Sequence, residues 1–279
     1  MLNGQPQLPW ILALPLTGVL AAWANQHRAL DDPAQEPDIP HRLRLPQIED
    51  QIEGLLGSGG EEPLVLVLGD SRLHYGTRSD EALTEALASR PDSWLAGARV
   101  ARLTSPALNA LRLTPYREAI MSLDPVALVV ASQVLVPSPF RLDCPPEDFA
   151  ARLRPKLKPK SDDVAQRRLQ RRWQDREFRT DPAHAYAAAE LLASSTAPVA
   201  VIAPARSPSE VALMGPAYLE DERAAVEALA ATYPHVTTAE IPVAFADDAY
   251  HDYTHLSDSA REAYERGLSA ALVVAFSTP

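Results

Sequence analysis

Between residues 64 and 240, five short runs of mainly apolar residues alternate with longer segments that read as helices. The runs predict strands at Leu64–Leu68, Arg99–Leu103, Ala127–Ala131, Val199–Ala203 and Val236–Glu240. Helices are predicted at Gln47–Leu56, Asp80–Ser89, Pro115–Leu123, Asp162–Phe178, Leu219–Thr232 and Ser259–Ala275. Continuously apolar strands separated by helices are typical of a parallel sheet covered on both faces. The pattern therefore predicts an α/β fold, a three-layer α/β/α sandwich.

Two helix starts carry capping signals. Thr114 precedes Pro115, which predicts a cap followed by proline at the first helical position. Ser259 and Glu262 have the spacing of a capping box at the start of the last helix.

The N-terminus differs from the rest of the chain. Leu8–Ala24 (LPWILALPLTGVLAAWA) carries no charge, and Ala22-Trp23-Ala24 has the small-x-small form of a cleavage site. A buried core helix is the alternative, but two prolines and a following polar segment argue against it. We therefore interpret residues 1–27 as a signal peptide or membrane anchor, 28–62 as a linker and 63–279 as the folded domain, which places that domain outside the cytoplasm.

Charge and cysteine content exclude some classes of function. The net charge of −11 argues against a general nucleic-acid binder. The one cysteine, Cys144, excludes an internal disulfide and a CxxC metal or redox site.

Residues 152–179 are strongly basic although the chain as a whole is acidic, since they contain eleven basic and four acidic residues. They lie within a predicted helical insertion at about 140–195. One interpretation is a solvated helix rich in arginine. The other is a docking face for anionic lipid headgroups, an acidic polysaccharide or a partner protein.

The first predicted strand ends in Gly69-Asp70-Ser71-Arg72. Glycine permits a sharp turn there, and Asp70 can accept a hydrogen bond within it. Ser71 then lies near the start of a helical segment, where free backbone N–H groups can stabilise an oxyanion. A turn with a capping serine would look the same.

Near the end of the chain stands Asp252-Tyr253-Thr254-His255-Leu256. A spacing of three on a turn lets the Asp252 carboxylate reach Nδ1 of His255 while Nε2 points elsewhere. The same region holds other acidic residues and a second histidine, so metal binding is a weaker alternative. These are Asp247, Asp248, His251 and Asp258.

Together the two motifs resemble the SGNH (GDSL-type) hydrolase superfamily over about residues 63–275, with the serine after the first strand and the DxxH motif before the last helix. The resemblance implies a flavodoxin-like fold, a Ser71 nucleophile, a His255 base and an orienting Asp252, with no cofactor or metal. The α/β-hydrolase pattern does not fit, because Gly-x-Ser-x-Gly is missing.

The middle motifs depart from this superfamily. A glycine is expected after the second strand and an asparagine after the third, to form the oxyanion hole. This chain has Thr104-Ser105-Pro106-Ala107-Leu108-Asn109 and then Ala131-Ser132-Gln133. Ser71, Ser105, Asn109 and Gln133 are therefore the candidate oxyanion donors.

An anchor, a linker and divergent middle motifs look like the cell-envelope branch, which includes proteins of alginate O-acetylation and teichoic-acid D-alanylation that work beside a membrane-bound O-acyltransferase. The resemblance implies an extracytoplasmic enzyme that moves an acyl group to or from a polysaccharide or small ester. A secreted esterase or lipase is one alternative. A non-catalytic scaffold that binds a membrane acyltransferase is the other.

Overall fold

The computed structural model describes residues 48–58, 62–91, 93–105, 107–137, 162–173 and 176–277. The predicted N-terminal anchor, most of the linker, Cys144 and residues 152–161 lie outside these ranges. Among the helices in the described ranges, none combines the length and apolar character that a membrane crossing requires.

Five parallel strands form one sheet in the order β2-β1-β3-β4-β5. They are β1 Leu64–Gly69, β2 Arg99–Thr104, β3 Ala127–Ala131, β4 Val199–Ala203 and β5 Val236–Glu240. All five predicted strands are present, and the predicted parallel sheet is confirmed. The chain leaves β1 toward β2 on one side and returns to β3 on the other. In such sheets this switch point opens a crevice beyond the carboxyl end of the strand, where ligands bind.

Helices cover both faces of the sheet, as a sandwich requires. They are α1 Ile48–Ser58, α2 Ser71–Gly76, α3 Asp80–Ala88, α4 Ala110–Leu113, α5 Arg117–Ser122, α6 Ser132–Leu135, α7 Asp162–Trp173, α8 Pro182–Ala193, α9 Pro208–Thr232 and α10 Asp258–Ala275, with 3₁₀ turns at Thr114–Tyr116 and Asp247–Ala249. Alternate residues of β1 face opposite sides. Leu64, Leu66 and Leu68 pack with α1, α4, α5, α6, α8 and part of α9. Val65 and Val67 pack with α2, α3 and α10.

Two predicted helix starts are wrong. Pro115 lies in a 3₁₀ turn, and the Thr114 hydroxyl donates to the Ala110 carbonyl at 3.3 Å, so it closes the preceding helix. The last helix begins at Asp258 with Ser257 as its N-cap and no side-chain cap bond. Glu262 instead pairs with Arg266 one turn later, so the predicted capping box does not form.

Helix α9 has two parts, and the part after Gly215 starts within about three residues of the predicted start at Leu219, while the part from Pro208 to Met214 was not predicted. Gly215 interrupts it with φ 76°, a conformation that glycine adopts at little cost, and Pro216 follows. Gly215 and Pro216 therefore divide α9 into two helical parts, at the point that these two residue types indicate.

The predicted insertion divides into two parts with different surroundings. Helix α7 ends at Trp173, short of the predicted end at Phe178. The rings of Trp173 and Phe178 both contact the ring of Tyr218, with centroids 5.1 and 5.6 Å away. Helix α8 packs Ala187, Ala188, Leu191 and Leu192 into the main core and belongs to the sandwich.

Candidate active site

The serine turn, residues 69–72, follows β1 at the switch point of the sheet. Asp70 is fully buried, caps α2 and accepts the backbone N–H of Arg72 at 2.8 Å. Gly69 is required for close packing, because a Cβ there would overlap the side chain of Leu73. Ser71 is the first residue of α2, so its backbone N–H has no acceptor within the helix. The hydroxyl thus emerges at a rigid turn beside a free amide.

The histidine turn, residues 252–255, is held by one carboxylate. Asp252 Oδ1 accepts the backbone N–H groups of Thr254 at 3.2 Å and His255 at 3.0 Å. Tyr253 lies between them with φ 61°, a left-handed conformation that costs a non-glycine residue about 1–2 kcal/mol. The surrounding loop is closed by a backbone bond from His251 N–H to the His255 carbonyl at 2.8 Å. The turn therefore holds the imidazole in one orientation.

The fold brings the two turns together although Ser71 and His255 lie 184 positions apart in the sequence. Ser71 Oγ lies 3.0 Å from Nε2 of His255, and Nδ1 of the same ring lies 3.0 and 3.1 Å from the two Asp252 oxygens. Because a carboxylate only accepts hydrogen bonds, Nδ1 carries the ring proton and Nε2 is free to accept from the serine hydroxyl. The rings of Tyr75 and His255 pack in a T-shaped arrangement with centroids 4.8 Å apart, which further fixes the imidazole.

The candidate oxyanion residues lie after the strands that flank β1. Ser105 is buried, and its backbone N–H donates to the Gly69 carbonyl at 3.3 Å, so it lies beside the serine turn. Gln133 is buried on α6, which contacts β1, and its side-chain oxygen has no partner among the described residues. Asn109 caps α4 by accepting the Arg112 amide at 3.0 Å, which gives it a structural role.

The basic helix α7 reaches the histidine turn, a contact the sequence did not predict. Arg172 Nη1 donates to the hydroxyl of the buried Thr254 at 3.2 Å. Leu169 and Trp173 are buried one turn apart and pack against Met214 and Tyr218 of α9. The exposed Arg171 remains on the outer face.

The ion pair between Arg72 of the serine turn and Glu210 was not predicted from the sequence. Arg72 donates to both oxygens of Glu210, at 2.5 and 2.8 Å, and Trp173 Nε1 donates to the same carboxylate at 3.1 Å. Burial opposes both charges, yet the attraction of the partner keeps the pKa of Arg72 raised and that of Glu210 lowered. The pair is therefore ionised. Its one sequence signal was a charged residue directly after the candidate serine.

The remaining acidic and histidine candidates near the histidine turn have other surroundings. Asp247 accepts the Ser209 backbone N–H at 3.0 Å and its hydroxyl at 2.6 Å, which ties the loop to α9. His251 and Asp248 are exposed, and Asp258 pairs with Arg261 at 3.3 Å. Within the described ranges, three or more metal-ligating side chains nowhere come together.

Comparisons with known proteins return structures alone. No family model and no curated protein matches the chain. An acetylxylan esterase from Geobacillus stearothermophilus, solved as a catalytic mutant, is 10% identical over 78% of this chain and 94% of its own, with a TM-score of 0.47. The C-terminal catalytic domain of Streptococcus pneumoniae peptidoglycan O-acetyltransferase A, solved with a methylsulfonyl adduct, is 14% identical over 78% and 95%, with a TM-score of 0.38. An alpha/beta hydrolase enzyme from the metagenome of Lake Arreo is 12% identical over 76% and 94%, with a TM-score of 0.43. Likenesses at this level concern the fold, so we argue the function from the site itself.

Proposed function

We propose that this chain is a serine-dependent acyl-ester enzyme of the SGNH type. The observation that carries the proposal is the continuous hydrogen-bonded series Ser71–His255–Asp252, with both links at 3.0 Å. A serine hydroxyl is a weak nucleophile at neutral pH and needs a base with an orienting group behind it. Here His255 is within reach to act as the base and Asp252 is placed behind it to orient the ring, at the switch point of the sheet.

The proposed reaction has two halves. His255 takes the proton of Ser71 as Oγ attacks the ester carbonyl, and Asp252 stabilises the resulting imidazolium. The Ser71 amide, with Gln133 or Ser105, donates to the oxyanion. His255 then protonates the leaving alcohol, which leaves an acyl group on Ser71. Water or a sugar hydroxyl, deprotonated by His255, attacks the acyl-serine. The bond between the acyl carbon and Oγ breaks, and His255 returns the proton to Ser71, which restores the free enzyme.

The proposed setting is the cell envelope, with an acylated glycan as substrate or acceptor. The uncharged run Leu8–Ala24 supports export and tethering, and the basic segment 152–179 supports contact with an anionic surface or a membrane-bound acyltransferase. A secreted esterase would perform the same chemistry with water as acceptor. A non-catalytic scaffold has less support, because it would not require Ser71, His255 and Asp252 to lie within hydrogen-bond distance of one another.

A fluorophosphonate probe tests the proposal directly. The purified protein should be labelled covalently, and peptide mapping should find the adduct on Ser71. Ser71→Ala should retain its melting temperature and lose labelling, while Ser79→Ala, a helix cap away from the site, should still be labelled. Labelling that persists unchanged in Ser71→Ala would exclude the proposed nucleophile. Acetyl transfer to a glycan, measured against hydrolysis, then separates transferase from esterase.

A further inference from the structure

The first turn of α9, Ser207–Glu210, contacts both halves of the candidate site. Its N-cap residue Ser207 is fully buried, and its hydroxyl donates to the Tyr253 carbonyl at 2.6 Å while accepting the Glu210 amide at 3.1 Å. Tyr253 is the strained residue of the histidine turn. One hydroxyl therefore joins the helix end to the middle of that turn.

Glu210 extends the same turn to the serine side. Ser207 and Glu210 have capping-box spacing, from which a glutamate normally reaches back to the N-cap amide. Here the carboxylate is occupied by the two Arg72 bonds and the Trp173 bond instead. Arg72 is covalently next to Ser71, and Arg72 and Glu210 lie 138 positions apart in the sequence, so this is a long-range tie.

These contacts form a rigid bridge between nucleophile and base. The bidentate geometry of arginine on carboxylate fixes direction as well as distance. Glu210 is fully buried and the Arg72 side chain is 6% exposed, so water does not compete for these bonds. A buried ion pair is weak evidence for stability, because apolar residues of similar size often serve as well. Its presence beside the candidate nucleophile therefore favours a role in geometry.

We infer that Glu210 is a positioning residue, which, through Arg72 and Ser207, sets the distance between Ser71 Oγ and His255 Nε2. The inference rests on the proposed function for its kinetic consequence, but its structural consequence is independent of activity. Loss of the bridge should leave the His255–Asp252 contact in place, since that contact is made within the histidine turn. The approach of Ser71 to the ring should become less well defined. Misplacement by about 1 Å can cost about 10²-fold in rate.

The decisive variant is the double substitution Arg72→Met with Glu210→Leu, which removes the pair without leaving one buried charge alone. We expect it to fold, to lose about 10- to 100-fold in kcat for a small acetyl ester and in the rate of fluorophosphonate labelling, and to keep KM nearly unchanged. Amide hydrogen exchange of residues 71–76 should become faster, because α2 has lost its tie to α9, whereas residues 250–257 keep the bond from Ser207 to the Tyr253 carbonyl. This second measurement requires no catalytic activity.

The control is Arg117→Met with Glu190→Leu. That pair is joined at 2.8 Å and also links two helices far apart in sequence, α5 and α8, which pack on the face of the sheet opposite α2. It should change neither the rate nor the exchange of residues 71–76. Arg72→Lys keeps the charge but not the two-point contact, so its rate should lie between the wild type and the double variant.

The outcomes distinguish the positioning role of Glu210 from the proposed catalytic function. A folded double variant with wild-type rate and unchanged exchange would overturn the positioning role and leave the proposed function standing. An inactive, unlabelled wild-type protein whose double variant still shows faster exchange would refute the proposed function and retain the bridge. If the double variant does not fold, Arg72→Lys decides: full wild-type rate with unchanged exchange there contradicts the inference, and a reduced rate with faster exchange supports it.

Discussion

Asp252→Asn tests how the imidazole is oriented without removing the turn that carries it. The asparagine carbonyl can still accept the Thr254 and His255 amides, as Asp252 Oδ1 does at 3.2 and 3.0 Å. The amide nitrogen takes the place of Oδ2, which lies 3.1 Å from Nδ1 of His255. Its hydrogens favour the tautomer with a bare Nδ1, which puts the ring proton on Nε2. The Ser71 hydroxyl then faces a donor and loses its base.

Two considerations give the size of the effect. At 3.0 Å, the attraction between a carboxylate and an imidazolium amounts to about 5 kcal/mol in an effective dielectric of about 20. The same substitution in another serine–histidine–aspartate triad lowers kcat by about 10⁴, also about 5 kcal/mol at 1.36 kcal/mol per tenfold. We therefore expect kcat to fall by about 10³–10⁴, with little loss of melting temperature because the turn keeps its bonds.

Hydrolysis of p-nitrophenyl acetate under single-turnover conditions measures the fall. Asp248→Asn is the matched control, since Asp248 is exposed in the same loop and should show wild-type rates. Combining Asp252→Asn with Ser71→Ala should cost no more than Ser71→Ala alone, because the residues act as a unit. An Asp252→Asn protein within tenfold of the wild type would refute the assignment of Asp252 as the orienting group.

Four further outcomes are expected. Gln133→Ala should lower kcat by about 10²–10³ if its amide serves the oxyanion, and full turnover would move that role to other donors. His251→Ala should change the rate by less than about threefold, since the side chain is exposed, and a larger loss would question the choice of His255 as base. Burial, aided by nearby cations, lowers the pKa of His74 from 6.5 to about 4, so the unfolded chain takes up the proton first as pH falls. Stability should thus decline by about 3 kcal/mol between pH 6.5 and 4, and His74→Gln should flatten that decline in urea titrations. Reversing the exposed Arg167 and Arg171 to glutamate should weaken binding to anionic vesicles, steeply with salt, without changing small-ester hydrolysis.

The strands and the candidate triad were predictable because their signals are local. A buried parallel strand shows its identity in one apolar run, and β1 has all six residues buried. The serine turn and the histidine turn are each specified within four residues. The chain order of the elements and the fold implied by the resemblance were then enough to bring the two turns to one edge of the sheet.

The contacts that support the triad were not predictable, since each joins residues far apart in sequence. Nothing near Glu210 indicates Arg72, and the Ser207–Glu210 spacing pointed to an ordinary helix start. Helix α8 was assigned to the predicted insertion and not to the sandwich, because its sequence, PAHAYAAAELLA, is rich in alanine and shows little periodicity of apolar positions. Burial of small residues is set by the neighbouring helices, which the sequence of α8 alone does not reveal.

The basic helix α7 shows why charge composition alone did not decide between a solvated helix and a docking face. Leu169 and Trp173, one turn apart, are buried on the same side of α7, and Trp173 Nε1 donates a hydrogen bond to Glu210. Arg172, next to Trp173, contacts the histidine turn, whereas Arg167 and Arg171 are exposed to solvent. One short helix therefore exposes basic residues to solvent on its outer face and contacts Thr254 and Glu210 with its inner face. Charge composition did not separate these faces, because arginines lie on both of them and the fold alone decides which arginines are covered.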